Sequence, residues 1–242
     1  MISRTRGFTY VELIVVLALV ALGIVLVLPA LGGRRCTSSR SMQNATQLRG
    51  IHSGLVLYAQ DNKSYYPGYA SNGKRMADYA VEYRFQLMLD DNYFTGEYII
   101  SPSETKTALA QTGIRPTTEN YSYAMLSLSN ENSPRNDDWQ DSSGSEAVVL
   151  SDRAVLGKRK DGKRVLSSVQ TSYTPQTTRP WEGTVVYNDN HVERIKSHIL
   201  PLTAYGWAEN REGYVDDNLF DTIGASMVYR GKDSIVDQEM MQ

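Results

Sequence analysis

The sequence contains few of the residues that build disulfides and metal sites. Cys36 is the only cysteine among 242 residues, so the chain has no internal disulfide. The three histidines, His52, His191 and His198, show neither HExxH nor another zinc-ligand spacing. The sequence therefore indicates neither a disulfide-stapled scaffold nor a histidine-based zinc site.

The sequence also lacks a strong charge of either sign and the common catalytic motifs. The chain has 25 Lys and Arg residues and 27 Asp and Glu residues, which gives a formal net charge of -2. This near balance argues against a nucleic-acid partner. There is no Gly-x-Ser-x-Gly, no P-loop, and no GxGxxG between a strand and a helix. We therefore predict a noncatalytic protein with no catalytic residue and no cofactor.

What the sequence does contain is an apolar run near its N-terminus. No charged residue occurs between Glu12 and Arg34, and Leu13 to Leu31 is almost entirely apolar. About 19 helical residues extend roughly 28 Å, close to the ~30 Å hydrocarbon thickness of a bilayer. Arg4 and Arg6 precede the run without an acid, which favours a cytoplasmic N-terminus. The run predicts a single transmembrane helix.

One acid does not fit a plain membrane anchor. Glu12 lies at the head of the apolar run, where a carboxylate costs a few kcal/mol on insertion scales. No Lys, Arg or His occurs between Phe8 and Leu31, so the helix itself contains no cation to neutralise it. We expect the partner to come from outside this helix, as a lipid headgroup, a chain terminus or another subunit.

The hexapeptide Gly7-Phe8-Thr9-Tyr10-Val11-Glu12, followed by the apolar run, resembles the processing site of type IV pilins and type II secretion pseudopilins. The resemblance implies that an aspartic prepilin peptidase cuts between Gly7 and Phe8 and methylates the new N-terminus. It also implies that Glu12 attracts the amine of a neighbouring subunit during filament assembly. Tyr10 stands where the family more often has leucine, and Pro29 stands where many pilins have a helix-loosening proline.

The resemblance implies an α+β fold in which a long N-terminal helix packs on a small antiparallel β-sheet domain. The helix would have a transmembrane half and an amphipathic half. Because proline removes a helix hydrogen bond and glycine weakens a helix, we expect a kink or a locally melted turn around Pro29 to Gly33. The predicted organisation is a leader at 1–7, a transmembrane helix at 8–33, its amphipathic continuation at 34–62 and an extracytoplasmic globular domain at 63–242.

The amphipathic half carries apolar residues at three- and four-residue steps, which is typical of one helix face. We expect Asn44 on the opposite, polar face, and we expect Gly50 and Gly54 to let a sheet approach closely. Turn formers from Asp61 to Gly68 predict the end of the helix. The proposed stripe consists of Met42, Ala45, Leu48, Ile51, Leu55 and Tyr58.

The similarity extends into this helix and to one later hairpin. Gln47-Leu48, Tyr58-Ala59 and Tyr66-Pro67 resemble a pseudopilin-like group that is abundant in planctomycete-type genomes. Thr184 to Asn188 and His191 to Ile195 flank a tight turn at Asp189-Asn190, which predicts a β-hairpin with Asn190 in the left-handed conformation.

Other segments are less sharply patterned. We predict a short helix at Glu82 to Leu89, strands at Tyr121 to Leu128 and Ala147 to Ser151, and a basic hairpin tip at Lys158 to Arg164. Ser129 to Ser145 is a long polar loop, and loops of that length are usually functional or mobile.

Acidic residues cluster twice in the globular domain, as Asp137-Asp138 with Asp141 and as Asp216-Asp217-Asn218. Oxygen-rich loops can bind Ca²⁺, and the resemblance adds that some pseudopilins use calcium to fix a C-terminal loop. Neither run has EF-hand spacing. A solvated loop is therefore the favoured interpretation, with calcium at Asp216, Asp217 and Asn218 as the alternative.

The leading hypothesis is a structural subunit of a type II secretion pseudopilus or a type IV pilus. It implies a bacterial inner-membrane protein that crosses once, with its N-terminus in the cytoplasm and its globular domain outside. The implied partners are prepilin peptidase, other pilin or pseudopilin subunits, an inner-membrane assembly platform and membrane lipid, but no nucleic acid.

Three alternatives remain open at the level of sequence. The N-terminus could be a secretory signal peptide, although its apolar core is long for one. It could be an uncleaved anchor for an extracytoplasmic binding module or enzyme that does not polymerise. The long loop also leaves open a minor, adhesive pilin at the tip of a filament.

Overall fold

The structure is a computed structural model. It describes residues 10–27, 34–131, 133–158, 164–169, 180–200, 217–220 and 227–236. The chain divides into two compact units, Met1–Arg40 and Ser41–Gln242.

The N-terminal part forms two helices rather than one long helix. Helix α1 covers Tyr10–Val27 and contains 18 residues, and helix α2 covers Arg34–Asp61. α1 ends two residues before a proline, which has no amide hydrogen and disfavours helical geometry in the residue before it. The predicted fold class, a long N-terminal helix with a transmembrane half packed on a sheet, is therefore wrong.

Within the described ranges, no helix combines the length and the apolar character needed to cross a membrane. The predicted span ran from 8 to 33, whereas helix α1 covers Tyr10–Val27. This finding contradicts the transmembrane helix, the membrane assignment and the single-pass inner-membrane localisation. The kink predicted at Pro29 lies outside the described residues.

Helix α2 packs one apolar face into the core of the second unit. Leu48, Ile51 and Leu55 are fully buried. The predicted stripe is therefore confirmed along most of its length, but Met42 is 71% exposed and does not belong to it. Asn44, which we expected on the polar face, is buried instead. The predicted end of the helix is confirmed at Asp61.

The two glycines of α2 make room for aromatic rings rather than for a sheet. A Cβ atom at Gly50 would lie 2.7 Å from the ring of Tyr98, and one at Gly54 would lie 2.9 Å from the ring of Phe94. Both rings belong to the segment that follows α3 (Val81–Asp90). The expectation that a sheet approaches these glycines is therefore wrong.

Helix α3 confirms the short helix predicted at Glu82 to Leu89. Its buried face includes Phe85 and Met88, which join the main core. The amide of Val81 donates to the carbonyl oxygen of Gly231 at 2.9 Å, so the start of the helix is fixed to a turn near the C-terminus. A short 3₁₀ helix covers Pro134–Asp138 within the long polar loop.

The described residues form nine strands, which are β1 Tyr123–Leu126, β2 Val148–Asp152, β3 Ala154–Lys158, β4 Arg164–Ser168, β5 Gly183–Tyr187, β6 Val192–Ile195, β7 Ile199–Leu200, β8 Asp217–Asn218 and β9 Met227–Val228. The main sheet has five antiparallel strands in the order β6-β5-β2-β1-β9. A separate hairpin pairs β3 with β4, and a short ladder pairs β7 with β8.

The predicted hairpins are confirmed. β5 pairs with β6 in the register Val186↔Val192, and Asn190 adopts φ 65° in the connecting turn. β3 pairs with β4 up to Lys158↔Arg164, while the basic tip between them lies outside the described residues. The central strands β1, β2 and β5 are almost entirely buried, which explains their apolar composition.

Candidate functional surfaces and polar sites

Helix α1 is apolar on all sides, and its described side chains are exposed within the chain. The large apolar side chains between residues 10 and 20 are 46% to 78% exposed. Soluble monomers rarely expose contiguous apolar patches of this kind, and large patches usually mark interaction surfaces. The exposed set is Tyr10, Val11, Leu13, Ile14, Val15, Val16, Leu17, Leu19 and Val20.

Of the predicted processing and assembly residues, the structure describes one. Glu12 lies in the first turn of α1, where the partial positive charge of the helix N-terminus favours a carboxylate. Gly7 and Phe8, at the predicted cleavage and methylation site, lie outside the described residues. The structure therefore describes Glu12, but the peptide bond between Gly7 and Phe8 and the amine that its cleavage would free lie outside the described residues.

The candidate calcium loop is described only in part. Asp216 lies outside the described residues, whereas Asp217 and Asn218 form strand β8. The side-chain oxygen of Asn218 accepts a hydrogen bond from the amide of Phe220 at 3.1 Å. Across the described ranges, no three His, Cys, Asp or Glu side chains form a group that could hold a metal ion.

A buried polar cluster fastens α2 to the main sheet. The side-chain amide of Asn44 donates to both carboxylate oxygens of Asp152, at 2.9 and 3.2 Å, and to the hydroxyl of Thr184 at 3.1 Å. The hydroxyl of Tyr123 donates to the side-chain oxygen of Asn44 at 2.8 Å. The amide of Thr184 donates to Asp152 at 2.8 Å. One helix and three strands are thereby joined through side chains.

Asp152 is the charged centre of this α2–sheet cluster. Although the residue as a whole retains some exposure, burial of its carboxylate raises its pKa above the usual value. Hydrogen bonds from Asn44 and Thr184 act in the opposite direction, while the nearby charge of Glu104 raises the pKa further. Because desolvation dominates, the folded protein holds the proton of Asp152 to higher pH than an unfolded chain does.

A second polar cluster lies beside the first. Arg153 donates to both carboxylate oxygens of Glu104, at 3.2 and 2.8 Å, and Lys106 lies 3.3 Å from the same carboxylate. Lys106 also donates to the carbonyl oxygens of Thr118 and Tyr121, at 2.5 and 2.6 Å. A cavity of about 20 Å³ borders Glu104, Asp152 and Arg153, room for one water-sized molecule. Both cations therefore pair with the Glu104 carboxylate.

The three histidines lie apart from these clusters. His52 is buried in α2 with its ring edge-on to Tyr66, 6.2 Å between centroids, and burial lowers its pKa. Burial also lowers the pKa of His198, whose ring lies 6.3 Å from that of Phe220. Lowered values keep both imidazoles neutral near pH 7.

Sequence reasoning missed the two polar clusters, but one signal was available. Asn44 lies four residues before Leu48, which continues the 4-3-4-3 spacing through Ile51, Leu55 and Tyr58. A polar residue in register with an apolar stripe is a candidate for a buried hydrogen-bonding role. Its partner Asp152 lies 108 residues away in sequence, and no local pattern connects the two.

Comparison of the chain with protein-family models, with curated proteins and with solved structures gives no match.

Proposed function

We propose that this protein is a noncatalytic structural subunit that assembles through α1 into a filament of the pilin or pseudopilin type. The observation that carries the proposal is the exposed apolar surface of α1. Leaving nine large apolar side chains in water is unfavourable, because burying each one contributes roughly 1.5–3 kcal/mol. Packing α1 against the same helix of neighbouring subunits removes that surface from water.

The N-terminal motif supports the same function by resemblance. Cleavage between Gly7 and Phe8 by a prepilin peptidase would free the amine of Phe8, four residues before Glu12. In the filament, the carboxylate of Glu12 would then pair with the amine of an adjacent subunit. A charge pair of that kind offsets the desolvation of the acid when the helices pack together.

The second unit supplies the rigid body that such a subunit presents to its neighbours. α2 is fastened to the sheet by its buried apolar face and by the cluster around Asn44 and Asp152. These contacts resist separation of the helix from the sheet under load. The machine can be a type II secretion pseudopilus or a type IV pilus, since both use this subunit design.

Mass analysis of the N-terminus in the native organism tests processing. The expected first residue is methylated Phe8. An intact Met1 on a protein that stays monomeric would overturn the proposal. It would favour a protein that does not polymerise, such as a binding module or an enzyme.

Fibre yield tests the role of the acid. Glu12→Ala is expected to leave cleavage intact and to reduce filament assembly, whereas Glu119→Ala, an exposed acid of the second unit, serves as the matched control. Equal fibre yield from the two variants would remove the assembly role of Glu12.

A further inference from the structure

The second unit carries an open polar groove of about 740 Å³. One wall is the segment from Tyr69 to Tyr79, and the other comes from Glu131, Asn136 and Asp137 of the long polar loop. Lys232 closes one side. The volume lies within the range of ligand sites, but the lining is more polar than that of a typical small-molecule pocket.

The first wall is a tight turn held by backbone hydrogen bonds. The amide of Ala70 donates to the carbonyl oxygen of Lys74 at 2.9 Å, and Tyr69 forms a β-bridge with Arg75. Gly73 adopts φ +75°, a conformation that favours glycine, and a Cβ there would lie 2.7 Å from the hydroxyl oxygen of Tyr65. The groove is therefore shaped before any ligand arrives.

Two of the three cations of the groove, Arg75 and Lys232, are held in place by their neighbours. Arg75 donates to the carbonyl oxygens of Leu128 and Ser129 and pairs with Glu131. The guanidinium of Arg75 lies 4.5 Å from the ring centre of Tyr79, and the ammonium of Lys232 lies 4.6 Å from it. Groups held in this way lose little side-chain entropy when they bind a ligand.

The groove carries charges of both signs. Lys74, Arg75 and Lys232 present hydrogen-bond donors, whereas Glu131 and Asp137 present carboxylate acceptors. The carboxylates would repel a polyanion, and the cations would repel a polycation, so the charges of the groove would weaken the binding of either. An apolar ligand would displace the water that hydrogen-bonds to these polar groups and would offer no hydrogen bonds in return. A hydroxyl group both donates and accepts, so it suits both walls without bringing charge.

The aromatic lining fits the same ligand chemistry. Tyr69 is partly exposed in the groove and stacks on Tyr65, with 5.8 Å between ring centroids. A tyrosine ring offers an apolar surface with a polar tip, which complements the apolar faces and hydroxyl edges of a sugar. We propose that this groove binds a segment of a neutral polysaccharide.

This inference is independent of filament assembly, since all the residues it uses lie in the second unit. It gives the long polar loop a function, with Glu131 and Asp137 as the contacts it contributes. It also requires a ligand that lies along an open groove rather than one enclosed in a pocket.

The test uses the full-length protein and calorimetric titration with defined hexasaccharides. Cellohexaose, maltohexaose and chitohexaose are the neutral probes; a sulfated heparin hexasaccharide and a mixed-sequence hexapeptide are the competitors. At least one neutral probe should bind, and Glu131→Gln should weaken binding about tenfold, the effect of replacing a charged hydrogen-bond acceptor with a neutral one. Glu119→Gln, at an exposed site outside the groove, should leave the affinity unchanged.

A second pair of variants tests the aromatic contact. Tyr69→Ala should weaken binding of the same probe, while Tyr98→Ala, at a tyrosine that is 42% exposed and does not line the groove, should not. Lack of binding by all three neutral probes would overturn the proposal. Tighter binding of the sulfated saccharide or of the peptide, or equal effects of Glu131→Gln and Glu119→Gln, would overturn it as well.

Discussion

The side-chain amide of Asn44 donates to both carboxylate oxygens of Asp152, joining helix α2 to strand β2 across 108 residues of sequence. Asn44 is 2% exposed, so water cannot replace these hydrogen bonds if one partner is removed. This contact is the centre of the α2–sheet cluster, and it makes the position of the helix on the sheet testable.

Removing Asn44 should destabilise the protein markedly. Asn44→Ala takes away the donor to Asp152 and to Thr184 and the acceptor for Tyr123. We expect a loss of about 2–4 kcal/mol in the free energy of unfolding, because the partly buried carboxylate and the buried hydroxyl lose their partner. Denaturant unfolding measures the change, and Gln43→Ala on the exposed face is the control. Equal effects of the two substitutions would show that the cluster does not contribute.

Asp152 should impose a pH dependence on stability. Its folded pKa is raised above the ordinary value of 3.8, so the folded chain binds more protons than the unfolded chain between the two pKa values. The free energy of unfolding therefore falls as the pH rises from the ordinary value through the raised one. The free energy of unfolding is measured against pH for the wild-type protein and for Asp152→Asn, and the difference between the two curves isolates this contribution. The opposite effect of His52, whose pKa is lowered, is present in both proteins and cancels in the difference. A difference that does not change with pH would contradict the prediction.

Gly54 should resist replacement even by alanine. In an exposed helix Gly→Ala gains about 1 kcal/mol, but here the new Cβ would lie 2.9 Å from the ring of Phe94 and 3.3 Å from Cε of Met88. Overpacking typically costs about 1–3 kcal/mol, so the net effect should be a destabilisation of roughly 1 kcal/mol. Thermal unfolding tests this, with Ser53→Ala on the exposed side as the control. A stabilised Gly54→Ala protein would mean that the ring moves aside at little cost.

A charge on α1 should prevent self-association without unfolding the second unit. Leu17 is 60% exposed in α1, and Leu57 is 50% exposed in α2. Leu17→Asp would place a carboxylate inside the proposed helix bundle, where burial of an unpaired charge costs several kcal/mol. We expect Leu17→Asp to abolish filaments seen by electron microscopy and Leu57→Asp to retain them. Filaments from Leu17→Asp would exclude α1 as the packing surface.

Much of the second unit could be predicted because its signals are local. The β5–β6 hairpin follows from alternating strands around Asp189-Asn190, and α3 follows from apolar residues at helical spacing. The face of α2 that enters the core was visible from Leu48 onward. Each of these features depends on residues within a few positions of one another, which is the range that sequence patterns report.

The N-terminal predictions had a different outcome. The resemblance to pilins implied one long helix with a transmembrane half, but α1 ends at Val27 and α2 begins at Arg34. An apolar run reports the hydrophobicity of a segment, whereas the length of its helix also depends on residues such as proline that remove a backbone hydrogen bond. The processing and assembly roles of Gly7, Phe8 and Glu12 remain predictions.

By itself, the sequence determined helix α3, the β3–β4 and β5–β6 hairpins and the apolar face of α2 from Leu48 onward, because hydrophobic spacing and turn residues act over a few neighbouring positions. Only the tertiary structure decided that Asn44 meets Asp152, that Gly50 and Gly54 accommodate aromatic rings, and that a groove forms beside the long loop. These features bring together residues far apart in the chain, and their energies depend on distances and burial that arise only when the whole unit is packed.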